Sequence, residues 1–531
     1  MAATSTRSHG AADLLRREFL SRFVTTGSLV WLSRAALAAD EAGEWPDNRF
    51  LRGNFAPVHE EIVADGLRVI GRLPSELNGL YLRTGPNPQF PPRNRYHWFD
   101  GDGMLHGVRI QDGRASYRNR YVRTEGWHEE RKAGKALYPS ILDAPDLARI
   151  LAGKQPYKNT ANTALVWHHG RLFALMEGAE PHEIRPSDLD TVGPCQFEGR
   201  LKHAFTAHPK VDAQTGEMMF FGYSPLKPYL QYSVADKQGR IVSTTPIELP
   251  RGVMMHDFAI TRRFTLFLDL PLTFDFARLA SSRPILEFEP QFGARIGVLA
   301  RHAPGAEIRW FNISPCFVFH VLNAFEDGDS VVLRACRYDV FPDLLSFNTD
   351  DGKAVESGRR DDSSRKSAGR GRGTKEAAGA TDEETSTHGL HLHEWRIDLT
   401  LGTVAEKALA ELPCEFPRLH ESRQGRAARF GYAAAAGGDL SPGALKFDHQ
   451  TGGVGRHAYG KDRWGGEALF APRPGSSVED DGWLLTFVYD RASDRSELVV
   501  IDARSMAAEP IARVLLPRRV PYGFHGLWLE I

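Results

Sequence analysis

Four of the chain's twenty histidines stand in apolar or aromatic surroundings: His208 in FTAHPKVD, His256 in MMHDFAIT, His320 in FVFHVLNAFED and His525 in GFHGLW. A buried imidazole is costly unless its nitrogens are engaged. For each residue alone, a hydrogen-bonded core histidine is the simplest account. Taken together, the four could meet at one metal ion. Their separations of 48, 64 and 205 residues match no local zinc motif. They suit a fold in which distant segments each send one residue toward a common axis. Imidazole is a good ligand for non-haem iron. Four neutral rings leave the metal its 2+ charge and two open octahedral positions, enough for O2 beside a substrate.

Metal-bound imidazoles need a partner for the other ring nitrogen. Three glutamates in apolar or turn contexts are candidates: Glu177 in FALMEGAEP, Glu415 in PCEFPR and Glu467 in GGEALFAP. Other histidines invite the same reading and are set aside. His388, His391 and His393 in HGLHLHEW follow a polar stretch and read as an outer-strand surface. His168 and His169 end a strand at a turn, and no role is assigned to them. FDGDGMLH lacks the spacing and closing glutamate of a calcium loop, so Asp100 and Asp102 read as turn residues.

The elements that must position these residues are short and β-like. GLYLRTG, LHGVRI, FTLFLDLPLTF, DSVVLRACRYD and DGWLLTFVYD are rich in aromatic and β-branched types and end at Gly, Asp, Asn or Pro. They recur to the end of the chain. This predicts one closed all-β architecture, a propeller or a multi-sheet barrel. No strict repeat period is visible. Residues about 128 to 155 read as amphipathic helix. Residues about 350 to 388 are polar, Gly/Ser-rich and of mixed charge, and read as a disordered insertion. The four cysteines form no C-x-x-C pair and read as buried free thiols. A net charge of -1 gives no electrostatic basis for binding nucleic acid.

Residues 1–39 have a different character. Arg16-Arg17, then Phe19-Leu20, an apolar stretch to Leu32 and a small-residue end at Ala35–Ala39 make the pattern of a twin-arginine signal. The expectation is an exported, periplasmic protein. The apolar run is too short to span a bilayer as a helix.

NGLYLRTGPNP, HWFDGDGMLHGV, TANTALVWHHGRLFALMEG, FTAHPKVD, MHDFAIT, FHVLNAFED, EFPRL and GFHGLW, in this order, resemble the carotenoid cleavage oxygenases. The resemblance runs from about Phe55 to the C-terminus and leaves out the insertion. It implies an all-β fold over 45–531, a seven-bladed β-propeller with a helical cap over one face. It implies one Fe(2+) per chain, held by His208, His256, His320 and His525, with Glu177, Glu415 and Glu467 behind them. Thr163 matches a position that in many members points at an open iron site. The implied reaction uses O2 to cleave a C=C bond of an apolar polyene, a carotenoid or apocarotenoid, into two carbonyl products. Peripheral membrane contact near 138–151 goes with such a substrate. The alternatives are cleavage of phenolic stilbenes, isomerisation on the same iron scaffold, and a non-enzymatic binding propeller. Stilbene-cleaving relatives commonly carry a lysine directly before the glutamate at 177. Here that position is Met176, an apolar surface suited to a substrate tunnel for a polyene.

Overall fold

The computed structural model describes residues 44–342 and 389–530, apart from 153, 282 and 439. The signal expected at 1–39 and the insertion expected at 350–388 lie outside the described residues, as does His388.

Seven antiparallel sheets of four to six strands are the blades of a β-propeller. Blade 1 combines Val63–Ala64, Gly79–Pro86, Gly103–Gln111 and Arg114–Tyr121 with the late strand Gly526–Glu530. Blades 2 to 6 are each built from consecutive chain, beginning at Ala164–His168, Lys210–Val211, Ala259–Ile260, Phe317–Asp327 and Cys414–Arg418. Blade 4 is interrupted by a small two-stranded sheet, Leu272–Phe274 with Leu286–Phe288. Blade 7 holds Arg463–Trp464, Leu469–Pro472, Gly482–Asp490, Arg495–Asp502 and Ala512–Leu515, and takes its outer strand, Val69–Gly71, from the early part of the chain.

The ring is therefore closed twice. Val69 to Gly71 pair with Val514 to Ala512, and Gly79 to Arg83 pair with Glu530 to Gly526. Closure leaves only short, protected edges in place of a long exposed one.

Middle strands are buried on both faces because a neighbouring blade covers each side. Gly79–Pro86 is buried throughout, and Gly482–Asp490 is buried up to its last residue. Such strands read as continuous apolar runs rather than alternating ones. The outer strand Val404–Ala410, by contrast, is largely exposed. The apolar core lies between blades: Leu268 and Ile296 of blade 4, Leu333 and Trp395 of blade 5 and Leu445 of blade 6 belong to one buried cluster. All four cysteines are buried free thiols, as expected.

The helical content is smaller than the sequence suggests. The stretch read as helix from 128 to 155 holds two short helices, α1 (Glu125–Ala133) and α2 (Leu147–Leu151). Thr124 caps α1 through its Oγ1, and Gly134, at φ 70°, ends it. Pro139 and Pro145 keep the link between them non-helical. Tyr138 is tied down, donating to Glu129 at 3.0 Å and accepting from Arg149 at 2.7 Å. Ile141 and Leu151 are exposed. Among the described residues no helix is long and apolar enough to cross a membrane.

Candidate metal centre

Each blade sends one residue to a common centre. His208 precedes the first strand of blade 3, and His256 that of blade 4. His320 lies within the first strand of blade 5, Glu415 within that of blade 6, and Glu467 just before Leu469–Pro472 of blade 7. Glu177 follows the second strand of blade 2, and His525 comes immediately before the strand that closes blade 1.

The four imidazoles converge. Nε2 of His208 lies 3.0 Å from Nε2 of His256, which lies 3.3 Å from Nε2 of His320, which lies 3.0 Å from Nε2 of His525. Neighbouring rings are tilted or edge-on, with centroids 4.6 to 5.1 Å apart.

Local irregularities aim these side chains. The strand carrying His320 shifts register between Val318 and Val321 and again between Val321 and Asn323. His320 lies inside the first of these irregularities, where a bulge turns a side chain away from the ordinary pleat. The strand carrying Glu415 slips between Glu415 and Arg418, with Phe416 in the left-handed region at φ 52°. Glycines flank His525 although neither Gly523 nor Gly526 has a positive φ. A Cβ on Gly523 would meet Thr84 O at 2.7 Å, and one on Gly526 would meet Leu82 O at 2.4 Å. Close packing on Gly79–Pro86 is what excludes a side chain there. The backbone bonds Phe524 N–H to Thr84 O and His525 N–H to Thr163 O secure the last imidazole.

Three rings have a carboxylate behind them. Glu415 Oε2 is 2.5 Å from Nδ1 of His320, and Glu467 Oε1 is 2.8 Å from Nδ1 of His525. Glu177 Oε2 lies 2.5 Å from Nδ1 of His256, to the side of the N–H direction. The glutamates are held in turn. Tyr223 donates to Glu177, Tyr338 donates to Glu415 at 3.1 Å, and Gly526 N–H donates to Glu467 at 2.7 Å. Arg418 lies 3.3 Å from Glu467 and also bonds Gly526 O at 2.7 Å. His208 has no glutamate partner among the described residues, and its backbone N–H goes to Thr206.

Burial drives the electrostatics. It pulls the His208 imidazole well below its usual range, with the three neighbouring rings and Lys210 adding to the effect. Burial also brings His525 down to about 4, although Glu467 opposes it. Burial works against the charge of Glu467, but Arg418 and His525 outweigh it and hold the carboxyl down to about 2. Burial lowers His256 too, yet the Glu177 carboxylate more than offsets it and leaves the ring above its ordinary value.

The donor set fits one metal ion. A carboxylate can only accept, so each facing Nδ1 carries the proton and each Nε2 of a neutral ring holds a lone pair. Lone pairs converging at 3.0 to 3.3 Å repel unless a cation lies between them. Two nitrogens bound at right angles to one ion at about 2.1 Å lie about 3.0 Å apart. His208, His256 and His320 already have mutually close donor atoms, and His525 joins them through His320. A dication with three carboxylates leaves one negative charge, which Arg418 balances.

The remaining expected residues lie nearby. Thr163 is bonded through its carbonyl to His525, while its hydroxyl donates to Asn162 at 3.0 Å. Met176 lines a cavity together with Phe90, Tyr96, Phe99, Tyr138 and Ile141. Phe99 packs edge-on against Phe524, the neighbour of His525. His391 and His393 are 3.0 Å apart, but their strand is the third of four in blade 5, not the outermost. His393 is buried, so the expected outer-strand surface is corrected to a buried inner strand. His168 is a satisfied core residue, bonded to Gly216 O at 2.9 Å.

Asp100 and Asp102 do more than turn the chain. Asp100 accepts from Ser140 Oγ at 2.5 Å and Ile141 N at 2.9 Å, and burial pushes it up to about 6 against these bonds. Lys158 lies 3.1 Å from Asp102 and 2.8 Å from Glu130. These pairs fasten the helical segment to blade 1 and line the same cavity. The sequence signal was their place inside an aromatic stretch, the same signal that marks the four histidines.

A closed propeller with an axial four-histidine centre, three rings of which are backed by glutamate, defines a scaffold that could hold one metal ion. Residues 55–530 match the family model described as Retinal pigment epithelial membrane protein. The chain belongs to this family, that of the carotenoid cleavage oxygenases. It is 39% identical over 514 residues to the carotenoid 9,10(9',10')-cleavage dioxygenase 1 of Arabidopsis thaliana, covering 90% of this chain and 89% of that protein. It is 33% identical over 536 residues to the carotenoid cleavage oxygenase of Mycobacterium tuberculosis, covering 91% and 97%. Among solved structures, the lignostilbene dioxygenase of Pseudomonas brassicacearum aligns with a TM-score of 0.79 at 28% identity, over 92% of this chain and 100% of that one. The cobalt-substituted apocarotenoid oxygenase of Synechocystis aligns with a TM-score of 0.74 at 29% identity, over 90% and 97%.

Proposed function

We propose that the protein is a non-haem Fe(II) dioxygenase that cleaves one C=C bond of a carotenoid or apocarotenoid. The observation that carries this reading is the convergence of four Nε2 atoms with carboxylates behind three of the rings. His208, His256, His320 and His525 would hold the ion, and Fe(II), when bound, supplies the redox chemistry with O2. The balance is one alkene and one O2 to two carbonyl compounds, with one oxygen atom in each. No external reductant enters.

The chain's own residues bind, orient and insulate. Glu177, Glu415 and Glu467 fix ring orientation and keep the ligating nitrogens basic. Thr163, whose carbonyl accepts from His525 N–H, would stand beside the ion on the substrate side. The cavity at Met176, walled by Phe90, Tyr96, Phe99 and Tyr138 as well as by the paired charges, would receive one end of an apolar chain, and regioselectivity would follow from how deep that chain enters. The polyene meets no unpaired charge beside Glu177, because Met176 carries none.

Substrate preference separates this reading from stilbene cleavage. A phenolic stilbene is served by an ammonium group near its 4-hydroxyl. Lys158 lines the cavity, but both Asp102 and Glu130 already engage its ammonium. The expected result is a higher kcat/KM for an apocarotenal than for resveratrol on one iron-loaded preparation. A clear preference for resveratrol overturns the substrate assignment and leaves the metal centre intact.

We also propose twin-arginine export, on the pattern Arg16-Arg17-Glu18-Phe19-Leu20. Replacing both arginines by lysine is expected to leave folded, active enzyme in the cytoplasm. Unchanged delivery of the doubly substituted protein to the periplasm would rule this out.

A further inference from the structure

A buried ion pair joins blades 3 and 4 directly behind two of the histidines. Lys210 Nζ lies 2.7 Å from Asp257 Oδ1, with the side chains 11% and 2% exposed. Lys210 is two residues past His208, and Asp257 immediately follows His256. The second oxygen of Asp257 accepts from Val321 N–H at 2.8 Å. Val321 follows His320 at the point where the strand of blade 5 slips register. A bulge takes backbone groups out of the sheet ladder, and the Asp257 carboxylate takes up this N–H. One side chain therefore ties together the segments that carry His208, His256 and His320.

The charges matter as much as the bonds. Replacing a buried ion pair by apolar residues is often neutral for stability, so the pair is weak evidence of a stabilising role. An ammonium this close to His208 would, if unpaired, oppose a dication in the same low-dielectric interior. Asp257 cancels that charge at its source. We propose that Asp257 is a positioning residue of the metal centre, one that sets three ligand segments in register and neutralises Lys210. The proposal rests on the Fe(II) reading above.

The test is Fe(II) affinity, measured by competition with a chromogenic chelator, in the full chain and its variants, with melting of each metal-free form alongside. Asp257→Asn keeps an acceptor for Val321 but frees the ammonium, and is expected to weaken Fe(II) binding by about tenfold or more. Asp257→Asn combined with Lys210→Met removes both charges and is expected to recover most of that loss. Asp257→Glu keeps the charge but moves the oxygen away from Val321, and is expected to lose affinity with its fold intact. It also serves if Asp257→Asn fails to fold. A purely structural role predicts lower melting temperatures with unchanged affinity. Parent-like affinity in Asp257→Asn or Asp257→Glu, or no recovery in the double variant, overturns the proposal. Failure of the unsubstituted protein to bind Fe(II) would instead remove the reading on which it rests.

Discussion

Alanine at any one of His208, His256, His320 or His525 is expected to strip most bound metal and abolish cleavage. Each ring contributes one lone pair to a cluster in which adjacent nitrogens are 3.0 to 3.3 Å apart. Deleting one leaves a gap about the size of an imidazole, walled by aromatic side chains such as Phe319 and Phe416. Water entering that gap restores neither the geometry nor the basicity of the lost ligand. His320→Ala and His525→Ala each also leave a carboxylate without its donor, Glu415 or Glu467. Metal analysis of purified variants checks this, with His391→Ala as the comparison. His391 contacts His393 and Gly389, away from the quartet, and its loss should leave metal content unchanged. Near-stoichiometric metal and full turnover in any of the four variants would remove that residue from the ligand set.

Glu467→Gln is expected to have the largest effect among the three glutamates, weakening metal affinity or turnover by roughly 10–100-fold. Glu467 is only 3% exposed and serves three partners: His525, the backbone N–H of Gly526 and Arg418. An amide can accept from the imidazole but carries no charge. Arg418, which bonds Gly526 O, then loses the nearer of its two carboxylates, with Glu421 left at 3.9 Å. Glu177→Gln and Glu415→Gln keep a tyrosine partner and should lose less. Chelator competition on the three variants gives the order directly. Parent-like affinity in all three would make these glutamates structural.

What was legible in the sequence follows from what burial does to composition. The four histidines stood out because each sits in or beside an apolar or aromatic stretch, and the three glutamates because they sit in apolar or turn contexts rather than among other charges. Strand content was legible for the same reason. The number of blades was not, because no repeat period survives. Blade 4 carries an extra two-stranded sheet, and blades 1 and 7 borrow strands from opposite ends of the described chain. The supporting charges were also missed. Lys210, Arg418 and Lys158 look like ordinary surface residues, and the acidic partners named above are 28 to 56 residues away in sequence. Asp257 carried a usable signal, since it shares the apolar context of His256. The helix read from 128 to 155 was overextended because amphipathic spacing outweighed the breaks at Gly134, Pro139 and Pro145.

The one-residue-per-blade construction limits what evolution can do with this scaffold. Propellers are modular, and in repeat architectures stability is close to a sum over units and their interfaces. A unit can then be gained, lost or exchanged at modest cost. Here the seven units are alike in shape but not in duty: four deliver a ring, three deliver an acid, and no two deliver the same residue to the same neighbour. Duplicating or deleting one would rotate every later contribution out of place. Diversification is thereby steered away from the wheel itself and into the segments that link its blades, such as the stretch around α1 and α2, where length and side chains can change without disturbing the hub.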